Sequence, residues 1–223
     1  MKIAIIGAME VEIEIFRGLI ENIQTHEILG QTFYIGTLHG KDVVLTQCGI
    51  GKANAAMGAL AMVSLFEATH VINSGVAGAI ASELIPGDVV ASTDLVYHDV
   101  DVTGFGYPVG QVPGTASPFF TADETMLSLA KSQDIYTGRI ATGDQFISDP
   151  TKKDWIKTTF APMCVEMEGA AIAQVCTVAK VPFLVIRAIS DTADGNAEEE
   201  YAGNLDKGVQ RATTITEHII KSL

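Results

Sequence analysis

Three short stretches hold the residues best suited to chemistry: Gly7-Ala8-Met9-Glu10-Val11-Glu12, Val165-Glu166-Met167-Glu168-Gly169 and Ala188-Ile189-Ser190-Asp191. Each sets a carboxylate at the end of an apolar, strand-like run. A negative charge is costly there unless the site uses it, because burial disfavours the ionised form. Three such positions in one acidic chain predict a pocket for acid–base chemistry. Glu166 and Glu168 flank Met167, so in an extended segment both carboxylates share one face and Met167 takes the other. Two like charges so close need something to bind them, and sugar hydroxyls would serve. Arg187 lies inside the apolar run 183–189. A buried guanidinium needs a carboxylate partner, and Glu12, Glu168 and Asp191 are the candidates. Ordinary structural roles compete with these: Glu12, like Glu10 and Glu14, could complement a helix dipole, Asp191 could cap a helix, and Phe146 could fill core.

The elements that must position these side chains follow from hydrophobic periodicity. Residues 2–6 read as a buried strand, and 11–23 as a helix striped by Val11, Ile15, Leu19 and Ile23. Strands are expected at 33–38 and 43–48, joined by the turn His39-Gly40-Lys41-Asp42. A buried helix follows over 53–66, then strands at 71–76 and 89–97. A short helix at 126–130 is capped by Thr121 or Asp123. Strands at 139–142 and 163–165, a small-residue helix at 169–178, a strand at 183–189 and a closing helix over 198–222 complete the chain. This alternation predicts one domain, 1–223, with an α/β fold: a three-layer α/β/α sandwich whose mixed central sheet is covered on both faces. Asp191 then falls at the carboxyl edge of a strand, where ligands sit in such sheets. The one long irregular stretch, 103–118, is rich in Gly and Pro, and its length predicts a functional loop.

Composition narrows the partners. The chain has 14 basic and 27 acidic residues, a net charge of −13, which argues against nucleic acid or an anionic membrane surface. Any phosphate clamp must draw on Arg17, Arg139, Arg187 and Arg211. Cys48, Cys164 and Cys176 are odd in number and lack C-x-x-C spacing, which suits buried reduced thiols in a cytoplasmic protein. The five histidines lack metal-ligand spacing, and no metal is expected. Residues 1–10 read as a first strand rather than a targeting segment, and no apolar run reaches membrane-spanning length. Gly7-Ala8-Met9 lacks the rest of a dinucleotide fingerprint. Gly49-Ile50-Gly51-Lys52 lacks the first glycine and the Ser or Thr of a P-loop. No cofactor is expected.

Taken in order, the chain resembles the methylthioadenosine/S-adenosylhomocysteine nucleosidase family. The resemblance is carried by Ile5-Ile6-Gly7-Ala8-Met9-Glu10 with Glu12, by Cys48-Gly49-Ile50-Gly51-Lys52, and by Tyr97-His98-Asp99-Val100-Asp101-Val102-Thr103. Phe105-Gly106-Tyr107 with Gly110-Gln111-Val112-Pro113, then Gly143-Asp144-Gln145-Phe146-Ile147, Val165-Glu166-Met167-Glu168 and Val185-Ile186-Arg187-Ala188-Ile189-Ser190-Asp191 continue it. It spans almost the whole chain and is weakest at 115–140. It implies a nucleoside phosphorylase-like fold, a homodimer and a small-molecule nucleoside substrate. The implied reaction hydrolyses the N-glycosidic bond of 5′-methylthioadenosine, S-adenosylhomocysteine and 5′-deoxyadenosine, releasing adenine.

Roles follow from the same resemblance. Asp191 is the implied general acid at purine N7, Glu12 activates water, Glu168 binds ribose hydroxyls beside Met167, and Arg187 orients the carboxylates. Phe146 stacks on adenine and the Ile147 backbone reads the base edge. Val102, Phe105 and Pro113, with Tyr107 in the same loop, reach the 5′ substituent from a neighbouring subunit. Met9, Ile50, Val76, Glu166, Ser190 and Tyr201 complete the implied lining. Elementary chemistry agrees, since losing adenine creates an oxocarbenium-like cation, and an acid at the base with a water-activating carboxylate opposite is the needed pair. Each such group contributes roughly 10²–10⁴ in rate. Asp191 must then hold its proton far above the ordinary carboxylate range, which a dry pocket of Phe146, Ile147 and Met167 could provide.

Three departures from the family pattern stand out: Val76 for a serine near the water, Gly169-Ala170 for Ala-Thr, and Tyr201 for a phenylalanine. Other readings stay open. A phosphorylase of the same fold needs a cationic phosphate site. A futalosine-type hydrolase would exploit Val76 and Tyr201. A non-catalytic binding protein predicts loss of acid–base residues.

Overall fold

The apolar runs become the strands from which the site hangs. The computed structural model describes residues 1–28 and 30–223. The chain runs β1 (Lys2–Gly7), α1 (Glu10–Leu19), β2 (Glu21–Ile28), β3 (Gln31–Leu38), β4 (Lys41–Gln47), α2 (Lys52–Ser64), β5 (His70–Ala79) and β6 (Val89–Tyr97). After a 3-10 turn at Thr103–Phe105 come β7 (Phe119–Thr121), α3 (Glu124–Lys131), β8 (Tyr136–Thr142), α4 (Pro150–Phe160), β9 (Cys164–Glu166), α5 (Gly169–Ala179), β10 (Phe183–Asp191) and α6 (Ala197–Ser222).

The strands form one mixed sheet in the order β10-β6-β8-β9-β5-β1-β4-β3-β2, with β7 beside β6. A further β5–β10 pairing closes β5, β9, β8, β6 and β10 into a ring, so the expected α/β layering curls at one end. Helix α6 lies along β10 and β5 with α1 and α3 beside it, while α2 packs on α5. Strand β1 has parallel neighbours on both edges, which explains its nearly unbroken apolar sequence. Strand β10 is buried along its whole length, and this carries Arg187 inside.

The parallel register aligns the carboxyl ends of β1, β5 and β10 at one edge. Arg187 pairs with Gly75 and Asp191 with Gly78, and the register slips by one residue at Ser190. Such a bulge locally turns the chain and re-aims the following side chain.

Several expectations change. The helix expected over 11–23 stops at Leu19; Ile20 is extended, and Ile23 belongs to edge strand β2, which pairs with β3. Strand β2 is exposed along nearly its whole length, so no alternation announces it. Helix α4 was not foreseen because it is polar, although Asp149 accepts the Lys152 N–H at 2.8 Å and Pro150 opens the helix. Strand β7, three residues long, was missed as well. Asp123, not Thr121, caps α3, accepting from Met126 N at 2.9 Å. Helix α2 is only half buried: Ala55, Gly58, Ala59 and Met62 face inward, while Met57 and Leu60 lie open, as does Leu65 just past its end. The three cysteines are free and buried. Among the described residues, no helix is long and apolar enough to cross a membrane.

Candidate active site

Glu12 sits in the first turn of α1, directly after β1. Its Oε2 accepts the N–H groups of Ala8 at 2.7 Å and Met9 at 3.0 Å, and its Oε1 accepts Val76 N–H at 3.2 Å. The carboxylate therefore complements the helix N-terminus and also bridges to β5; its two sequence readings coincide. Burial raises its pKa, against the field of Arg187 and the three N–H groups. At Val76 the contribution to Glu12 is the backbone N–H, whatever the side chain.

Glycines make this approach possible. A Cβ on Gly75 would stand 2.5 Å from Glu12 Oε1 and 2.9 Å from Arg187 Nη1. A Cβ on Gly78 would stand 2.7 Å from Asp191 Oδ1. All three distances are below van der Waals contact, so β5 gives up two side chains to admit two carboxyl groups.

Arg187 does not pair with Asp191, and Glu12 is not among its ion pairs. Its close partner is Glu166, with Nη2 2.5 Å from Oε2, and Glu168 Oε2 lies 3.6 Å away. Asn73 Oδ1 also accepts from Nη2 at 2.6 Å. Glu166 further accepts the Thr142 hydroxyl and the N–H groups of Glu168 at 3.0 Å and Gly169 at 2.7 Å. Its lone pairs are taken up by the protein, although the residue still borders the pocket. The two glutamates thus differ. Glu166 ends β9 and turns into the protein, while Glu168 leaves the extended conformation at the start of α5 and keeps a freer carboxylate. Glu168 Oε1 accepts Gly51 N–H at 2.8 Å. The glycine turn that fails as a P-loop holds an anion after all, one from the chain itself, at the N-terminus of α2. Burial and then the neighbouring Glu166 raise the Glu168 pKa, with Arg187 opposing.

Asp191 is 2 % exposed. Its Oδ2 accepts the Ser190 hydroxyl at 2.8 Å and its Oδ1 accepts Ala193 N–H at 2.9 Å. Burial raises its pKa against those two bonds, and the charges of Glu200 and Asp194 push the same way as burial. This is the direction a proton donor near neutral pH requires.

One pocket gathers Met9, Glu12, Ile50, Val76, Phe146, Glu166, Met167, Glu168, Ser190, Asp191 and Tyr201, together with Ala8, Ala77 and Gly78. Phe146, 47 % exposed, stands edge-on to Tyr201 with ring centroids 6.0 Å apart, and the Tyr201 hydroxyl donates to Met9 Sδ at 3.2 Å. Ile147, next in the chain to Phe146, is buried in an apolar cluster with Val165 and Ala193 and is not in the pocket lining, and Arg187 lies behind the carboxylates. Val102, Phe105, Tyr107 and Pro113 are outside the pocket; Phe105 is 86 % exposed. Sequence reasoning did not find Thr142, Asn73, Gly51, Gly75 or Gly78. Of these only Gly51, in a glycine pair before a helix, carried a local signal.

A pocket at the carboxyl edge of a mixed sheet, with one buried arginine among carboxylates, fits the phosphorylase superfamily, whose family model matches residues 2–221. Within that superfamily the chain belongs to the 5′-methylthioadenosine/S-adenosylhomocysteine nucleosidases. The nucleosidase of that name from Geobacillus sp. (strain WCH70) is 45 % identical over 231 residues, covering 100 % of this chain and 99 % of its own length. The S-adenosylhomocysteine nucleosidase from Streptococcus pyogenes, solved in complex with 5-methylthiotubericidin, is 40 % identical with a TM-score of 0.97, covering 100 % of this chain and 97 % of that one. The futalosine hydrolase of Helicobacter pylori is also similar, at 32 % identity and a TM-score of 0.96, covering 100 % and 98 %.

Proposed function

We propose that this chain is an N-glycosyl hydrolase that cleaves 5′-methylthioadenosine and S-adenosylhomocysteine to adenine and the corresponding thioribose. The observation that carries the reading is the pair of buried carboxyl groups in one pocket, Glu12 in the first turn of α1 and Asp191 at the end of β10, both with raised pKa. Asp191 gives its proton to purine N7 as the C1′–N9 bond breaks and its electron pair passes to the base. Glu12 takes a proton from water as the water oxygen bonds to C1′. Glu168 accepts from ribose hydroxyls, Phe146 covers the adenine face, and Met9, Ile50, Met167 and Tyr201 exclude solvent. Arg187 and Glu166 act behind them by fixing Glu168.

Water rather than phosphate is the nucleophile in this reading. The pocket lining, among the described residues, contains no Lys or Arg. Arg17 is held by Glu10 and Arg139 by Asp94, and Arg187 is spent on Glu166. A futalosine-type substrate is the second reading, favoured by the similarity to the Helicobacter pylori enzyme and by the Tyr201 hydroxyl in the lining.

The working unit of this proposal is one domain, 1–223, paired as a homodimer in the cytoplasm. The apolar groove between α2 and α5 supports pairing; it includes Leu60, Val63, Val175 and Val178 and continues to Val100 and Val112. That continuity would bring the loop bearing Val102, Phe105, Tyr107 and Pro113 toward a partner's pocket. The test is incubation with methylthioadenosine in phosphate-free buffer and chromatography of the products. Adenine with methylthioribose is expected. Release only with added phosphate, as a sugar 1-phosphate, would overturn hydrolysis; turnover of futalosine alone would favour the second reading.

A further inference from the structure

Asp191 is followed by two peptide groups, and each is held by a side chain outside the pocket lining. The first, between Asp191 and Thr192, donates its N–H to Glu200 Oε2 at 2.8 Å. The second, between Thr192 and Ala193, donates its N–H to Asp191 Oδ1 at 2.9 Å, while its carbonyl accepts from Lys153 Nζ. A continuous chain of hydrogen bonds therefore runs from the Lys153 ammonium on α4, through one peptide, to the acid's carboxyl oxygen. The Thr192 hydroxyl, with one proton to give, lies 2.8 Å from Glu200 Oε2 and 2.9 Å from Asp194 Oδ2. Two carboxylates thus converge beside Asp191, with Lys153 Nζ 4.0 Å from Asp194 as their countercharge.

We propose that Lys153 and Glu200 are positioning residues for the acid step, clamping the two peptides after Asp191 and biasing its protonation in opposite senses. The inference rests on Asp191 being the general acid. Lys153 pulls on a peptide carbonyl, and polarisation along a hydrogen-bond chain strengthens the N–H donated at the far end. That favours ionised Asp191. Glu200 contributes a like charge, which favours the protonated form. The other groups facing Asp191 are the Ser190 hydroxyl, the buried Cys164 thiol on β9, Tyr201 on α6 and Asp194. Among these groups only Lys153 carries positive charge.

The experiment is the pH dependence of kcat/KM for methylthioadenosine hydrolysis by the parent, Glu200→Gln, Lys153→Met and Asp191→Asn, each checked by thermal melting. Glutamine retains an acceptor for Thr192 N–H and removes only the charge. The alkaline limb, where the acid loses its proton, is expected at lower pH in Glu200→Gln and at higher pH in Lys153→Met. Loss of structure would slow turnover without moving the limbs apart, and either variant decides its own sign if the other does not fold. Limbs that stay in place, or that move together, would overturn the proposal while Asp191→Asn remains inactive. A fully active Asp191→Asn would instead sink the acid assignment itself.

Discussion

Glu166 Oε2 lies 2.5 Å from Arg187 Nη2, and both side chains are 2 % exposed. Around this pair converge Asn73 from β5, Thr142 from β8 and the first N–H groups of α5. Removing one partner from such a pair leaves a buried charge without compensation, at a cost of about 3–5 kcal/mol. Glu166→Ala is therefore expected to lose stability on that scale in urea unfolding. A loss within about 0.5 kcal/mol, the range of an ordinary surface change, would show that the pair is not the hub described.

The glycines of β5 give a second prediction. Gly75→Ala drives a methyl group into Glu12, and Gly78→Ala drives one into Asp191. Overpacking of this kind costs about 1–3 kcal/mol in stability. Turnover should fall further, about 10²-fold or more for Gly75→Ala, because the carboxylate that handles water is displaced. Steady-state kinetics beside a melting curve separates the two effects. Near-parent kcat/KM in Gly75→Ala would remove Glu12 from the mechanism.

Stability should fall as pH rises through neutrality. Glu12, Glu168 and Asp191 all have raised pKa values in the folded protein, chiefly from burial. Each therefore binds its proton more tightly folded than unfolded. Its contribution is complete below the unfolded pKa and is lost as pH climbs through the folded one. Asp99 and Asp194, held low by hydrogen bonds and lysine neighbours, act in the opposite sense, but in more acid solution. Urea midpoints at about pH 5 and about pH 8 should show the decline, and Glu168→Gln, which cannot ionise, should flatten it. A midpoint that rises over this range would contradict the assignment.

The exposed side of the α2–α5 groove carries a fourth prediction. Leu60 is 56 % and Val178 80 % exposed, an unusual display for aliphatic side chains lining a shared groove. If the chain pairs through this groove as proposed, the parent sediments as a dimer and Val178→Glu as a monomer without unfolding, and turnover should fall with it if the Phe105–Pro113 loop completes a partner's pocket. An unchanged dimer would place the interface elsewhere.

The strands were legible in the sequence because burial on both faces leaves long apolar runs, as in β1 and, with Arg187 the one charge before its end, in β10. Edge strand β2 and polar helix α4 were not, since little of either is buried and the hydrophobic period fades. The carboxylates stood out because Glu12, Glu168 and Asp191 end apolar runs. What could not be read was their pairing. Arg187 keeps the expected Glu168 at 3.6 Å but takes Glu166, the last residue of β9, as its close partner, while the other Glu168 oxygen turns to Gly51. Gly75 and Gly78 looked like ordinary small residues in a strand, and their purpose exists only once β10 and α1 are brought against β5.

The three buried thiols have a practical outcome. Burial pushes Cys48 and Cys176 up to about 12 and raises Cys164 as well, so at neutral pH the reactive thiolate is scarce and out of reach. Maleimides and mild oxidants should leave the native protein untouched. The parent chain is accordingly its own silent background for labelling: a single cysteine introduced on the exposed segment at Gly195 or Asn196 would be the sole site to take a fluorophore, and could report motion beside Asp191 during turnover.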